Sequence, residues 1–302
     1  MKTSILVLII FLLAGFAFAE EPSGQIVYSQ LTGDFWQIWM MDLKTKESHS
    51  LTDSPVDKRA PQCNPDGTQL LYRTANAELF LMNLQDMRQP VQQILKDFGT
   101  IMDEQWSLDG KYILFTRMRS DLMDDSDIWS ADINGKNVKE ITSMPALQYY
   151  PQFLDEESMI FVSQDSKAKG HQGHNLWRKS TQKEDAGIQL TQGVSYDLLP
   201  NVSPDKQTVI FSSNRSGSFD IWQLNLATQE LRRLTDQAGL ETSPNFSPDG
   251  HAILFVSTAG GSKQLWLMNS DGGNQIQITD NQTARQEASW CPSNISQESE
   301  NE

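Results

Sequence analysis

Short apolar segments alternate with polar positions along the whole chain, and each follows a tight-turn sequence. Leu70-Leu71-Tyr72, Ile113-Leu114-Phe115, Met159-Ile160-Phe161-Val162, Val209-Ile210-Phe211 and Ile253-Leu254-Phe255-Val256 read as half-buried strands. The turns before them are Asn64-Pro65-Asp66-Gly67, Ser107-Leu108-Asp109-Gly110, Leu154-Asp155-Glu156-Glu157, Ser203-Pro204-Asp205-Lys206 and Ser247-Pro248-Asp249-Gly250. Proline presets φ, aspartate bonds nearby backbone, and glycine takes a conformation that other residues resist. A polar loop then leads to an aliphatic–aromatic pair: Ile38-Trp39, Leu79-Phe80, Ile128-Trp129, Leu176-Trp177, Ile221-Trp222 and Leu265-Trp266. The aromatics are 41, 49, 48, 45 and 44 residues apart. A third mark follows each pair: Leu51-Thr52, Ile141-Thr142, Leu190-Thr191, Leu234-Thr235 and Ile278-Thr279, blurred to Ile94-Leu95-Lys96 in the second repeat. The aromatics before the turns (Trp106, Phe153, Phe246, Trp290) add one more strand per unit. Four strands per repeat, with no space for a helix, predict an all-β, six-bladed β-propeller of four-stranded antiparallel blades.

The ring is expected to close on itself. Gln25 to Ser29 reads as the second strand of a blade whose first strand is missing, and Ala288 to Pro292 reads as that missing strand. Pairing the two removes exposed sheet edges. The repeated Trp residues are expected to fill the wedges between blades rather than to form a ligand-binding row. Closure also makes Cys63 and Cys291 neighbours. A disulfide and two buried thiols both remain open, because the two positions are one residue out of register.

The chain ends read differently. Lys2 precedes fifteen largely apolar residues, Ile5 to Ala19, closing on Ala17-Phe18-Ala19. This predicts a cleaved secretory signal peptide over 1–19, a propeller over 20–293, and an acidic, disordered tail over 294–302. The location is then periplasmic or secreted. A formal net charge of −15 disfavours nucleic acid and anionic membranes as partners. Two cysteines are too few for a disulfide-dense scaffold.

Candidate chemistry is sparse. His171 and His174 share a loop but name no third metal ligand, and Asp121, Asp124, Asp125 and Asp127 do not follow an EF-hand spacing. Both loops are read as solvated, and no metal or cofactor is expected. Arg73, Arg117 and Arg215 follow apolar strands and are expected to pair with the aspartates that open the next strands, Asp127 and Asp220. The residues entering the innermost strands vary between repeats while the framework recurs. They include Lys58, Arg59, Asp103, Glu104, Tyr149, Tyr150, Tyr196, Asp197, Glu241, Arg285 and Glu287. They would stand at the channel mouth, where loops on a rigid scaffold carry function. The binding candidates are Arg59, Asp103, Glu104, Tyr149, Tyr150, Asp197, Glu241, Arg285 and Glu287.

The stretch Ser203 to Thr235, with Ser-Pro-Asp, Ile-Phe-Ser-Ser-Asn-Arg, Asp-Ile-Trp and Leu-Thr in order, resembles the repeat of TolB-type propellers. The resemblance runs over about residues 25–293 and covers the propeller without the N-terminal α/β domain of TolB proper. It implies a non-enzymatic, monomeric protein that binds a protein or peptide partner, such as an envelope lipoprotein, at the channel mouth. The same architecture also serves lyases and hydrolases with a metal or acid/base site in the channel. The nucleophile elbow of the related peptidases is missing from this sequence.

Overall fold

The computed structural model describes residues 23–119, 124–164, 173–183, 185–280 and 282–292. The leader, the tail after Pro292, and Asp121 and His171 of the two candidate loops lie outside the described residues. Six antiparallel sheets of four strands each form the molecule, and the described residues hold no helix. Blade 5 shows the unit, with strands Asp197–Val202, Thr208–Ser213, Asp220–Asn225 and Leu231–Arg233 from the axis outward. The other inner strands are Lys58–Cys63 in blade 2, Ile101–Trp106 in blade 3, Gln148–Phe153 in blade 4 and Glu241–Phe246 in blade 6. Blade 1 takes its inner strand, Arg285–Cys291, from the far end of the chain and pairs it with Gln25–Thr32, with Ile26 opposite Trp290. The ring closes as its sequence predicts.

Each repeated mark has a bond to make. The threonine hydroxyl accepts the backbone N–H of the aliphatic residue in its own blade: Ile38 to Thr52, Ile128 to Thr142, Leu176 to Thr191, Ile221 to Thr235 and Leu265 to Thr279, at 2.8–3.0 Å. The short outer strand is thereby fastened to the third. In the turns, Ser107, Ser203 and Ser247 donate to the aspartate two residues on. The glycine of each turn faces the proline of the previous blade. Gly110 meets Pro65, Gly250 meets Pro204, and a Cβ on Gly67 would lie 1.9 Å from the Pro292 carbonyl oxygen.

Hydrophobic packing is divided among six wedges, each shared by two neighbouring blades, and none lies on the axis. Phe115, Phe161, Phe211 and Phe255, on second strands, are fully buried in them. Each such ring contributes about 1.5–3 kcal/mol by burial. The repeated Trp residues pack half-buried against the same wedges, as expected. Cys63 and Cys291 are joined in a disulfide with Cα atoms 5.1 Å apart. The register offset is no obstacle, because the residue at this position leans over the preceding blade. The Trp at the same place in blade 3, Trp106, donates its indole N–H to the Gln62 carbonyl of blade 2 at 3.1 Å. Cys63 leans in the same sense toward the closing strand.

The arginine pairings differ from the expectation. Arg215 bonds Asp197 at 2.6 Å rather than Asp220, which takes Arg233 at 2.8 Å. Asp127 pairs with Arg119, while Arg117 donates to the Phe98 carbonyl and lies over the Phe98 and Trp129 rings. The aspartates open their strands beside the neighbouring loop, so they meet whichever arginine lies beside that loop.

Candidate functional site: the channel and its mouth

Every blade interrupts the ladder between its inner and second strands with a β-bulge. One residue at each bulge takes a left-handed backbone: Ala60, Asp103, Tyr150, Leu199, Ser243 and Glu287, with φ between 51° and 56°. Non-glycine residues adopt this at a cost of about 1–2 kcal/mol each. The six line one axial cavity of about 340 Å³. The next position holds a buried proline in four blades (Pro61, Pro151, Pro200, Pro244), with Ala288 and Glu104 in the others. The position after that is polar throughout: Gln62, Gln105, Gln152, Asn201, Asn245 and Ser289, lining the same cavity.

The cavity is two-sided. Blades 4 to 6 present Tyr150, Leu199, Ser243 and three prolines. Blades 1 to 3 present Glu287, Asp103 and Glu104 around Arg73. Glu287 Oε2 accepts from Ser29 Oγ at 3.2 Å and from the Ala60 N–H at 3.0 Å. Asp103 Oδ2 likewise accepts from Thr116 Oγ1 at 2.9 Å and the Tyr150 N–H at 3.4 Å. Each carboxylate thus ties its blade to the next through one oxygen. Glu104 is fully buried and neither of its carboxylate oxygens receives a hydrogen bond. Arg73 Nε is 3.6 Å away, which is an ion pair but beyond hydrogen-bonding distance. Burial pushes the Glu104 carboxyl up to about 7, against the pull of Arg73. Burial also raises Asp103 and the Tyr150 hydroxyl.

The nine candidate residues separate into three groups. Asp103, Glu104, Tyr150 and Glu287 converge on the channel. Arg59 and Tyr149, each one residue before a bulge residue, are not among the residues lining it. Arg59 pairs with Asp57 at 3.2 Å and lies over Trp36, while the Tyr149 hydroxyl and Nδ1 of His174 share a hydrogen bond of 2.5 Å. His174, whose imidazole pKa burial lowers, also stacks on Tyr196. Asp197, Glu241 and Arg285 begin their strands among neighbouring side chains. Asp197 takes Ser213 and Arg215, Glu241 takes Ser257, and Arg285 takes Gln30 and Asp280. Sequence reasoning misses Arg73 as a channel residue. By register it matches Thr116, Val162, Ser212 and Val256, small or apolar residues, so a lone arginine there is the signal.

The mouth is formed by loops from outer to next inner strand and from second to third strand. Leu31, Phe35, Val56, Val194, Tyr196 and Leu240 are exposed on this face, Val194 at 71%. Among the described residues no three His, Cys, Asp or Glu side chains are grouped as metal ligands. No helix among them is long and apolar enough to cross a membrane.

Residues 189–296 match the TolB beta propeller domain family. Those residues of the six-bladed ring carry the TolB-type repeat. Its fold is similar to the crystal structure of TolB from Acinetobacter baumannii, with a TM-score of 0.77 and 20% identity over 91% of this chain and 68% of that one. A protein assigned as TolB from Agrobacterium tumefaciens gives 0.70 and 21% over 86% of this chain and 90% of that one. An oligogalacturonate lyase in complex with manganese gives 0.58 and 14% over 86% and 74%. No curated protein sequence matches the chain. At these identities the likeness is one of fold, and TolB-type and enzymatic propellers share it.

Proposed function

We propose that this is an exported, TolB-like propeller that binds a protein or peptide partner at the channel mouth and does no covalent chemistry of its own. The observation that carries this reading is the mouth face itself. It brings exposed Val194, Tyr196, Leu240, Phe35 and Val56 around a polar channel whose six axial residues all differ. Exposed apolar side chains gathered on one face of a water-soluble fold mark an interaction site. Export is supported by the leader sequence and by the Cys63–Cys291 disulfide, which belongs to an oxidising compartment. The exported protein then starts at Glu20, and N-terminal sequencing that finds Met1 would contradict this.

The test of docking is affinity capture from the native envelope with three forms of the mature protein. Wild type and an outer-strand variant, Ile188→Asp, should recover the same partner. Val194→Asp with Leu240→Asp should lose it. Equal recovery by all three would place the interaction elsewhere. A second reading, acid/base hydrolysis or lyase chemistry in the channel, draws on the Glu104 carboxyl at about 7. It requires turnover that Glu104→Gln abolishes.

A further inference from the structure

The acid wall of the channel is built for more than joining blades. Asp103 and Glu287 each spend one carboxylate oxygen on the ring. Glu104 spends neither, although it is fully buried and lines the cavity. It stands where four blades have a proline, so blade closure does not call for a carboxylate there. A buried carboxylate without a hydrogen-bond donor is costly, and its retention calls for a donor supplied from elsewhere. Arg73 and Lys263 are the two cations lining the cavity, against the three carboxylates Asp103, Glu104 and Glu287, so acids still outnumber bases there. The facing wall offers apolar surface at Leu199, Pro151, Pro200 and Pro244, set among the uncharged polar residues Tyr150, Gln152, Asn201, Thr242, Ser243 and Asn245, and it holds no carboxylate.

We propose that the channel seats a cationic side chain of the docked partner, a lysine or arginine whose aliphatic stem lies along Leu199 and the prolines and whose charged head donates to Glu104 between Asp103 and Glu287. The inference rests on the docking proposed above and names what the docked segment must carry. A long basic side chain suits such a site because its stem is apolar and its head brings several donors. The ion pair formed with Glu104 is charge-assisted and shielded from solvent, where such bonds are strongest.

The test uses the mature protein with ¹³C-labelled Glu and Asp carboxyls, titrated with acetylated, amidated Gly-Gly-X-Gly-Gly peptides in which X is lysine, arginine, norleucine or glutamate. Lysine and arginine peptides should shift the Glu104 carboxyl resonance saturably, and norleucine and glutamate peptides should not. Glu104→Gln should weaken the lysine peptide about tenfold or more, the effect of losing a charge-assisted bond. Arg73→Met should strengthen it, because the native competitor for the carboxylates is gone. This second variant decides the matter if Glu104→Gln folds poorly. Equal responses to lysine and norleucine, or weaker lysine binding in Arg73→Met, would overturn the proposal. If lysine peptides leave Glu104 unmoved while mouth variants still lose the partner, docking stands and the cation seat falls. If lysine peptides titrate Glu104 while mouth variants keep the partner, the seat stands and the docking reading falls.

Discussion

Replacing Cys63 and Cys291 together by alanine should be among the most damaging changes available to the fold. The bond closes a loop with a sequence separation of 228 residues. In the chain-entropy description a loop of this size raises the free energy of the unfolded chain by about 5 kcal/mol. The closing strand would still hold its ladder with Gln25–Thr32, and Ser289 would still donate to the Pro61 carbonyl at 2.7 Å. The folded state keeps most of its packing as well, since Val27 and Leu70 still fill the wedge between blades 1 and 2 where the two cysteines sit. At about 2–4 °C per kcal/mol for a domain of this size, the melting temperature should fall by roughly 10–20 °C. Calorimetry on oxidised, reduced and Cys63→Ala/Cys291→Ala protein measures it, with thiol counting on denatured, unreduced protein as the control. A fall below about 3 °C in both the reduced and the double-alanine forms would show that the unfolded chain gains little freedom, against the entropic reasoning. Two reactive thiols in the exported protein would remove its premise.

Other changes test single links. Gly67→Ala should cost more than about 2 kcal/mol, combining a left-handed backbone with a Cβ 1.9 Å from the Pro292 carbonyl oxygen. Gly33→Ala, also left-handed but open to space, should cost only about 1 kcal/mol in the same urea titration, and equal losses would refute the clash. Thr235→Val keeps the shape but strips the acceptor from the buried Ile221 N–H. It should lose about 1–3 kcal/mol, whereas Thr235→Ser, which retains the hydroxyl, should lose less. For Glu104, the folded carboxyl at about 7 lies above its ordinary 4.5, so the folded state holds the proton more tightly. Its stabilising share is present below pH 4.5 and lost as pH rises through 7. Wild-type stability should therefore fall relative to Glu104→Gln across that window, by on the order of 3 kcal/mol, and a flat difference would refute the burial argument.

The framework is legible in the sequence because each mark is tied to a fixed backbone task. Trp129 and its counterparts fill wedges, and Thr142 and its counterparts bond the strand beside them, so both must recur. The channel is legible only in part, because a bulge breaks the alternation by which side chains are assigned to faces. The extra residue turns Asp103 and Glu287 to the axis and leaves Asp197 and Glu241 in bonds with Ser213 and Ser257. Order along the chain groups Arg73 with Arg117 and Arg215, whereas strand pairing aligns it with Thr116. The cysteine pair stays open in sequence because the lean of the residue before the turn, seen in Trp106, is a property of packed blades. The mouth's apolar residues, such as Val194 and Leu240, lie in loops without repeat pattern and become a single face only in the ring.

The most direct measurement of docking at the mouth is site-specific photocrosslinking in the native host. A photoreactive benzoylphenylalanine is placed at Val194 on the mouth or at Leu231 on the outer strand of the neighbouring blade, both exposed. Irradiation should give one discrete adduct from Val194 and none from Leu231, and excess wild-type protein should compete the adduct away. An adduct from Leu231 with none from Val194 would contradict docking at the channel mouth.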